Sequence, residues 1–252
     1  MKLSVIIPAY NEATRIGNTL LDVDKYLSEQ DYEYEILVSL DGPTDNTKEI
    51  VENYKKLVKN LRVIGYEKNQ GKGVAVRSGM LEAKGEWRLF MDADGSTSID
   101  HLNKMWPLTQ NGYKVIISSR EKKDVPGAKV AVPQSFVKEF LGKGSNLLIQ
   151  IFGVWGIWDT QNGFKMFHQD AAKKIFSIMR IKRWGFDIEA LVIAKKLKYK
   201  IGIVPAYWIN DAKSLVTFLG PNGYVHTFLE LLKIRWNLIS NKYDIKSKNK
   251  EK

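Results

Sequence analysis

The 252-residue chain contains no cysteine. That excludes a disulfide framework, a thiolate metal site and a cysteine nucleophile. Histidine is scarce: His101, His168 and His226 show no paired ligand spacing, and zinc chemistry is not expected. No apolar run reaches the ~20 residues needed to span a bilayer, and the longest, residues 147–158, is interrupted by Gln150, Gly153 and Gly156. The opening Met-Lys-Leu-Ser-Val-Ile-Ile-Pro is too short and too soon polar for a signal peptide. The expected location is therefore cytosolic, or peripheral on the cytosolic face of a membrane, without a transmembrane helix. Acidic residues are in deficit, with 28 Asp+Glu against 39 Lys+Arg and a net charge of +11. Such a balance asks for an anionic partner: nucleic acid, anionic lipid or a phosphorylated substrate. Nucleic acid is the least expected, because no RNP-like aromatic strand, helix-turn-helix or zinc-finger pattern is present.

With 44% hydrophobic and 27% charged residues, the chain has the composition of an ordinary globular protein. Its first half alternates strand and helix signals. Residues 3–8 form a buried-strand run closed by Pro8, and Ile16, Leu20, Val23 and Leu27 recur at helical spacing. Strands are expected at 35–40, 61–66, 87–91 and 114–119, with helices from Asp45 onward and near 73–83. This βαβα pattern predicts an α/β fold: a doubly wound, mainly parallel, Rossmann-like sheet with helices on both faces. Residues 121–134, with Pro126, Gly127 and Pro133, read as a mobile loop, and 135–158 as helical. Helices at 170–179 and 187–198 and a strand at 201–208 follow. In 224–240, Val225, Phe228, Leu232, Trp236 and Ile239 share one helical face, which suits core packing or a helix lying on a membrane. Residues 241–252 carry five lysines against Asp244 and Glu251, a solvated tail or a membrane-surface element.

The candidate site residues gather at the strand ends. The strand at 87–91 delivers Asp92-Ala-Asp-Gly95. Residues i and i+2 of an extended chain point the same way, so Asp92 and Asp94 can face one divalent cation shared with substrate phosphates. After the first strand comes Pro8-Ala9-Tyr10-Asn11-Glu12, a turn that could border a nucleotide, or an ordinary turn in which Asn11 caps a helix. Asp41, in Ser39-Leu-Asp-Gly-Pro-Thr-Asp45, stands where it could accept hydrogen bonds from a base or ribose, while Asp45 caps the next helix. Asn69-Gln-Gly-Lys72-Gly73 is not a Walker A loop, but it sets backbone N–H groups and Lys72 where a sugar nucleotide could lie.

Taken in this order, these four motifs resemble the family 2 (GT-A fold) glycosyltransferases. Ser118-Ser-Arg120, Asp159-Thr-Gln-Asn-Gly-Phe-Lys165, Arg183-Trp-Gly-Phe-Asp187 and Asn210-Asp-Ala-Lys-Ser214 are similar to polyprenyl-phosphate glycosyltransferases. The resemblance is closest to dolichyl-phosphate glucose synthases, with the mannose synthases next, and covers about residues 3–240. It implies one domain over 1–240, with a donor half at 1–120, an acceptor half at 121–240 and a basic tail at 241–252. It further implies inverting transfer of a hexose from a nucleotide-sugar donor, UDP-glucose or GDP-mannose, to a polyprenyl or dolichyl phosphate, with Mg²⁺ or Mn²⁺. The roles it implies are donor binding at Pro8, Ala9, Tyr10, Glu12, Asp41, Lys72, Asp92 and Asp94, and metal binding at Asp92 and Asp94. Catalysis would involve Asp94 and Asp159, the latter as base or acceptor-orienting group. Acceptor or phosphate contacts would come from Arg120, Lys165, Arg183 and Lys213. Ser96 stands where some mannose synthases carry a glutamine metal ligand. Residues 147–158, with Phe152, Trp155 and Trp158, read as the receiver of the lipid chain or as a buried helix. A family 2 transferase acting on a saccharide hydroxyl is the alternative enzyme, and a basic nucleotide- or RNA-binding module the alternative without catalysis.

Overall fold

Seven buried residues in β1 (Leu3–Ala9) and eight in β2 (Tyr34–Asp41) leave neither face of these strands to solvent, as central parallel strands require. The computed structural model describes residues 1–130, 146–208 and 221–245. Its further strands are β3 (Leu61–Tyr66), β4 (Trp87–Met91), β5 (Val115–Ser119), β6 (Lys129–Val130), β7 (Phe164–His168), β8 (Ile201–Pro205) and β9 (Tyr207–Trp208). Seven of them form one sheet in the order β3-β2-β1-β4-β7-β5-β8, while β6 and β9 pair as a separate ribbon. All neighbours in the large sheet are parallel except around β7, which runs antiparallel to both β4 and β5. The sequence pattern gives no strand at β7, and the single strand it leads one to expect at 201–208 is divided in the structure, where Ala206 separates β8 from β9.

Helices cover both faces. α1 (Ile16–Ser28), α2 (Thr47–Tyr54) and α4 (Leu102–Gln110) lie over one, and α3 (Lys72–Glu82), α5 (Gln169–Phe176), α6 (Phe186–Lys196) and α7 (Pro221–Ile239) over the other. The period-2 alternation of the strands sorts the core. Val5, Ile7, Ile36 and Val38 pack with Ile16, Leu20, Val23 and Leu27 of α1, whereas Ile6 and Leu37 pack with Val76 and Met80 of α3. Burial of each of those α1 side chains contributes about 1.5–3 kcal/mol.

Three expectations about the second half change. Of 135–158, the described residues are helical only over 146–152; Gly156, at φ 82°, lies in the non-helical stretch that follows. The face of α7 carrying Val225, Phe228, Leu232, Trp236 and Ile239 points outward, Trp236 being 60% and Ile239 69% exposed. The core contacts come instead from Thr227, Leu231, Ile234 and Asn237. Beyond α7 the tail is not wholly solvated: Tyr243 is buried, and its hydroxyl donates to Glu189 at 2.7 Å. No helix among the described residues is long and apolar enough to cross a membrane.

Candidate active site

The turns at the C-terminal ends of the parallel strands are laced together from one side of the sheet to the other. Asn11 sits in the left-handed region at φ 55°, and its side chain does not cap α1. Its amide instead holds Thr44, accepting from the Thr44 N–H at 2.8 Å and donating to its hydroxyl at 3.1 Å. Asp45 accepts from the N–H groups of Thr47 (3.0 Å) and Ala13 (3.2 Å), which serves the start of α2 and ties it to the first turn. Pro8 and Ala9 end β1 beside Ser39 and Leu40, and Tyr10 stands 43% exposed just beyond.

Asp41 is buried at the end of β2, and its carboxylate accepts the N–H groups of Gln70 (2.7 Å) and Gly71 (3.0 Å). It therefore fixes the glycine-rich turn before α3. Burial raises its pKa, against those two amides and the Arg183 charge, which lower it. Fixing this turn aims Lys72, whose Nζ lies 2.7 Å from Asp92 Oδ1 and 5.0 Å from the centre of the Trp184 ring. Burial opposes the Lys72 charge, but Asp92, Asp187 and Asp94 outweigh it and raise the pKa.

Asp92 and Asp94 follow β4, and both are half-buried. The Asp92 N–H donates to the Gly163 carbonyl at 3.0 Å, and a Cβ on Gly163 would collide with the Asp92 carboxylate. Glycine is required there by close approach. Gly95, at φ 66°, turns the chain so that the Ser96 N–H reaches Asp94 Oδ1 at 2.9 Å. Burial and the neighbouring Asp92 charge push the Asp94 pKa up, against the Ser96 hydrogen bonds and Lys72. Glu12 feels the same field: burial raises its pKa, Arg15 at 2.6 Å lowers it, and Asp94 and Asp92 raise it further.

Negative charge is thus concentrated around Asp94 and only partly compensated by Lys72. No group of three His, Asp or Glu able to hold a metal occurs among the described residues. Two hard carboxylates at this spacing nevertheless fit Mg²⁺ or Mn²⁺, which take one or two protein carboxylates and complete their shell with water and substrate phosphates. A cation there would offset the repulsion between the Asp92 and Asp94 carboxylates.

On the far side of β4, Arg120 and Asp159 form a fork. Asp159 Oδ2 accepts the Arg120 backbone N–H at 2.7 Å and Nε–H at 2.8 Å, and Oδ1 accepts Nη2–H at 2.8 Å. Asp159 is only 4% exposed. Burial alone would raise its pKa, but the charge and hydrogen bonds of Arg120 outweigh it and hold the carboxyl below its ordinary value. The Arg120 guanidinium stacks over Trp208 with its carbon 5.2 Å from the ring centre; burial opposes its charge, but Asp159, with Asp92 beyond it, outweighs burial.

Asp124, within the segment read from sequence as a mobile loop, pins this pair. Its carboxylate accepts from the N–H groups of Trp158 (2.7 Å) and Asp159 (2.8 Å) and from the Ser119 hydroxyl (2.7 Å). No spacing in the sequence singles it out, because its partners arrive from β5 and from more than thirty residues downstream.

Lys165 requires a correction. Expected at an acceptor phosphate, it is 1% exposed, with its ammonium bonded to the Asn162 carbonyl and at 2.5 Å from Asp187. An antiparallel β7 directs it inward beneath Phe90, so its charge reaches Asp159 only through the protein. Arg183 is exposed beside the glycine-rich turn. Lys213 lies outside the described residues.

A doubly wound sheet whose strand ends gather an Asp-x-Asp, a lysine and an arginine fork defines a glycosyltransferase of the GT-A class. Residues 4–176 match Glycosyl transferase family 2, and the chain belongs to that family. Two curated relatives carry the name dolichyl-phosphate beta-glucosyltransferase. One from Trichomonas vaginalis is 36% identical over 96% of this chain and 73% of its own. Another from Dictyostelium discoideum is 34% identical over 97% of this chain and 77% of its own. Glucosyl-3-phosphoglycerate synthase from Mycobacterium tuberculosis has been solved with UDP, and its fold matches at TM-score 0.68 and 17% identity over 93% of this chain and 80% of that one. The same enzyme with Mn²⁺, UDP-glucose and phosphoglyceric acid matches at 0.66, also at 17% identity, with the same coverage of each chain.

Proposed function

We propose that this chain transfers glucose from UDP-glucose to the phosphate of a polyprenyl or dolichyl lipid at a membrane surface, inverting the anomeric carbon. The shared name of the two relatives supports the sugar and the acceptor. The observation that carries the choice of a phosphate acceptor is the Arg120–Asp159 fork. A hydroxyl acceptor needs a general base, typically a carboxylate with a free oxygen near the anomeric carbon. Both oxygens of Asp159 are engaged and its pKa is lowered, so it serves poorly as a base. A phosphate monoester, with a second pKa of about 6, is already anionic and needs a positive charge more than a base. Arg120 supplies that charge: Asp159 takes its Nε–H and one Nη2–H, which orients the guanidinium so that its remaining N–H groups can meet a phosphate oxygen.

In the reaction an acceptor phosphate oxygen attacks the anomeric carbon, and the bond from that carbon to the diphosphate oxygen breaks. The electron pair leaves with UDP. Asp94, with Asp92, would hold Mg²⁺ or Mn²⁺, which when bound offsets the charge gathering on the departing diphosphate. Lys72 stands on the same side as a point charge. Pro8, Ala9, Tyr10, Glu12 and Asp41 border the donor in the 1–120 half, with Asp41 acting through the turn it fixes. Arg120, Arg183 and Lys213 serve the acceptor half of 121–240. The test is UDP release from UDP-glucose, with GDP-mannose and other sugar nucleotides in parallel, each with and without polyprenyl phosphate and metal. Release from UDP-glucose that requires both additions supports the reading. Turnover on a saccharide hydroxyl without lipid would overturn it.

A further inference from the structure

We infer that His101 is a positioning residue for the acceptor side: its Nε2 holds β9 against the turn that carries Asp92 and Asp94, and so keeps Trp208 against Arg120. The inference rests on the reading above in which Arg120 meets the acceptor phosphate.

His101 ends the single 3₁₀ turn Ile99–His101 that precedes α4, and it is 5% exposed. The Tyr207 backbone N–H donates to its Nε2 at 2.9 Å. That nitrogen therefore carries no proton, and a neutral imidazole then holds its proton on Nδ1. Nδ1 is placed to use it, 3.0 Å from the Ser98 carbonyl and 3.1 Å from the exposed Asp100 carboxylate. Both nitrogens are engaged, so the ring serves neither as a metal ligand nor as a proton carrier. It joins two pieces of backbone.

The piece it holds is short. β6 and β9 are two residues each and mostly exposed, so their own pairing holds them weakly. Ala206, just before β9, donates its N–H to the Ser119 carbonyl at 2.8 Å and accepts the Lys129 N–H at 2.9 Å. Backbone groups alternate in direction along a strand, and the Tyr207 N–H accordingly turns away from those partners to His101. Trp208 follows, bridged antiparallel to Thr97, and its ring receives the Arg120 guanidinium at 5.2 Å. The Thr97 hydroxyl donates to the Asn162 side chain at 3.2 Å, next to the Gly163 that presses on Asp92. His101 thereby fixes the platform of the acceptor arginine relative to the Asp-x-Asp turn.

The experiment compares His101→Asn with His101→Gln. Both lose the ring that meets Phe164 edge-on at 6.0 Å. A glutamine oxygen can stand near the position of Nε2 and accept the Tyr207 N–H, whereas an asparagine is too short. His101→Asn should raise KM for polyprenyl phosphate about 5–10-fold, with KM for the sugar nucleotide within about twofold of wild type. His101→Gln should restore the acceptor KM to within about twofold of wild type, and the Tyr207 amide should exchange about tenfold faster in the asparagine variant alone. Equal acceptor KM in the two variants, or a donor KM that rises in step with it, would overturn the inference. A second measurement needs no variant to fold: imidazole nitrogen NMR of the wild type in mildly alkaline buffer should show His101 protonated on Nδ1, and a proton on Nε2 would overturn the inference. Absence of polyprenyl-phosphate-dependent UDP release in the wild type would overturn the acceptor reading and with it the acceptor role of His101. Tyr207 exchange and the His101 tautomer would still decide the clamp by themselves.

Discussion

Replacing Asp159 by asparagine distinguishes a general base from a residue that positions Arg120. The wild-type carboxylate accepts three Arg120 N–H groups at 2.7–2.8 Å. An asparagine keeps one acceptor oxygen and turns an NH₂ group toward the remaining donor. Removing one partner of a buried pair costs about 3–5 kcal/mol. The Arg120 side chain keeps 26% exposure, and water relieves part of that cost, so about 2–3 kcal/mol is expected. For a chain of this size the loss corresponds to roughly 4–12 °C in Tm. The displaced guanidinium should lower kcat/KM for the acceptor by about 10–100-fold.

The pH dependence follows from the lowered Asp159 pKa. The folded pair is stabilised above the unfolded carboxylate value of about 3.9 and loses that stability as pH falls through the lower folded value. Wild-type turnover above about pH 5 should therefore show no limb from Asp159. The assays are thermal melting and UDP release across pH. A fall of about 10²–10⁴-fold with unchanged melting, and loss in the variant of an acidic limb present in the wild type, would identify a general base. That result would refute the positioning role.

Three further perturbations test other parts of the site. Asp94→Asn should abolish UDP release, as should chelation of divalent metal from the wild type, with release restored by Mg²⁺ or Mn²⁺ only in the wild type; metal-independent turnover would remove Asp94 from this role. Gly163→Ala should drive a Cβ into the Asp92 carboxylate, costing about 1–3 kcal/mol of stability and at least about 10²-fold in turnover. Near-normal turnover would show that Asp92 need not stay where it is. Tyr243→Phe removes the 2.7 Å hydrogen bond to buried Glu189, so denaturant unfolding should report a loss of about 1–3 kcal/mol with turnover nearly unchanged.

The strand-end turns were legible because their residues are local. The turns after β1, β2, β3 and β4 each follow an apolar run, and their polar residues need only a parallel sheet to be brought together. Asp41 shows the limit of that legibility: its position was readable, but its partners, the Gln70 and Gly71 amides, arrive from the next turn. Lys165 was misplaced for a related reason. Phe164-Lys-Met-Phe-His168 contains a lysine, which argues against a buried strand on composition. The lysine is accommodated only because Asp187 approaches from α6, twenty-two positions later. Asp124 gave no sequence signal at all, since an aspartate in a polar loop is ordinary until Trp158 and Asp159 come to rest on it.

The α7 helix shows what periodicity leaves open. Its apolar stripe was correctly grouped, but a period of 3.6 identifies a face and not its neighbour. Thr227, Leu231, Ile234 and Asn237 form the less apolar face, yet they meet the core because Gly153 permits Leu231 to approach and Asn237 lies near the buried Tyr243 hydroxyl. The more apolar stripe is left outside with a cation on each flank. A sequence can state that a helix has an apolar face; which face meets protein is decided by the residues that close packing admits, and the face left over carries the information about a partner.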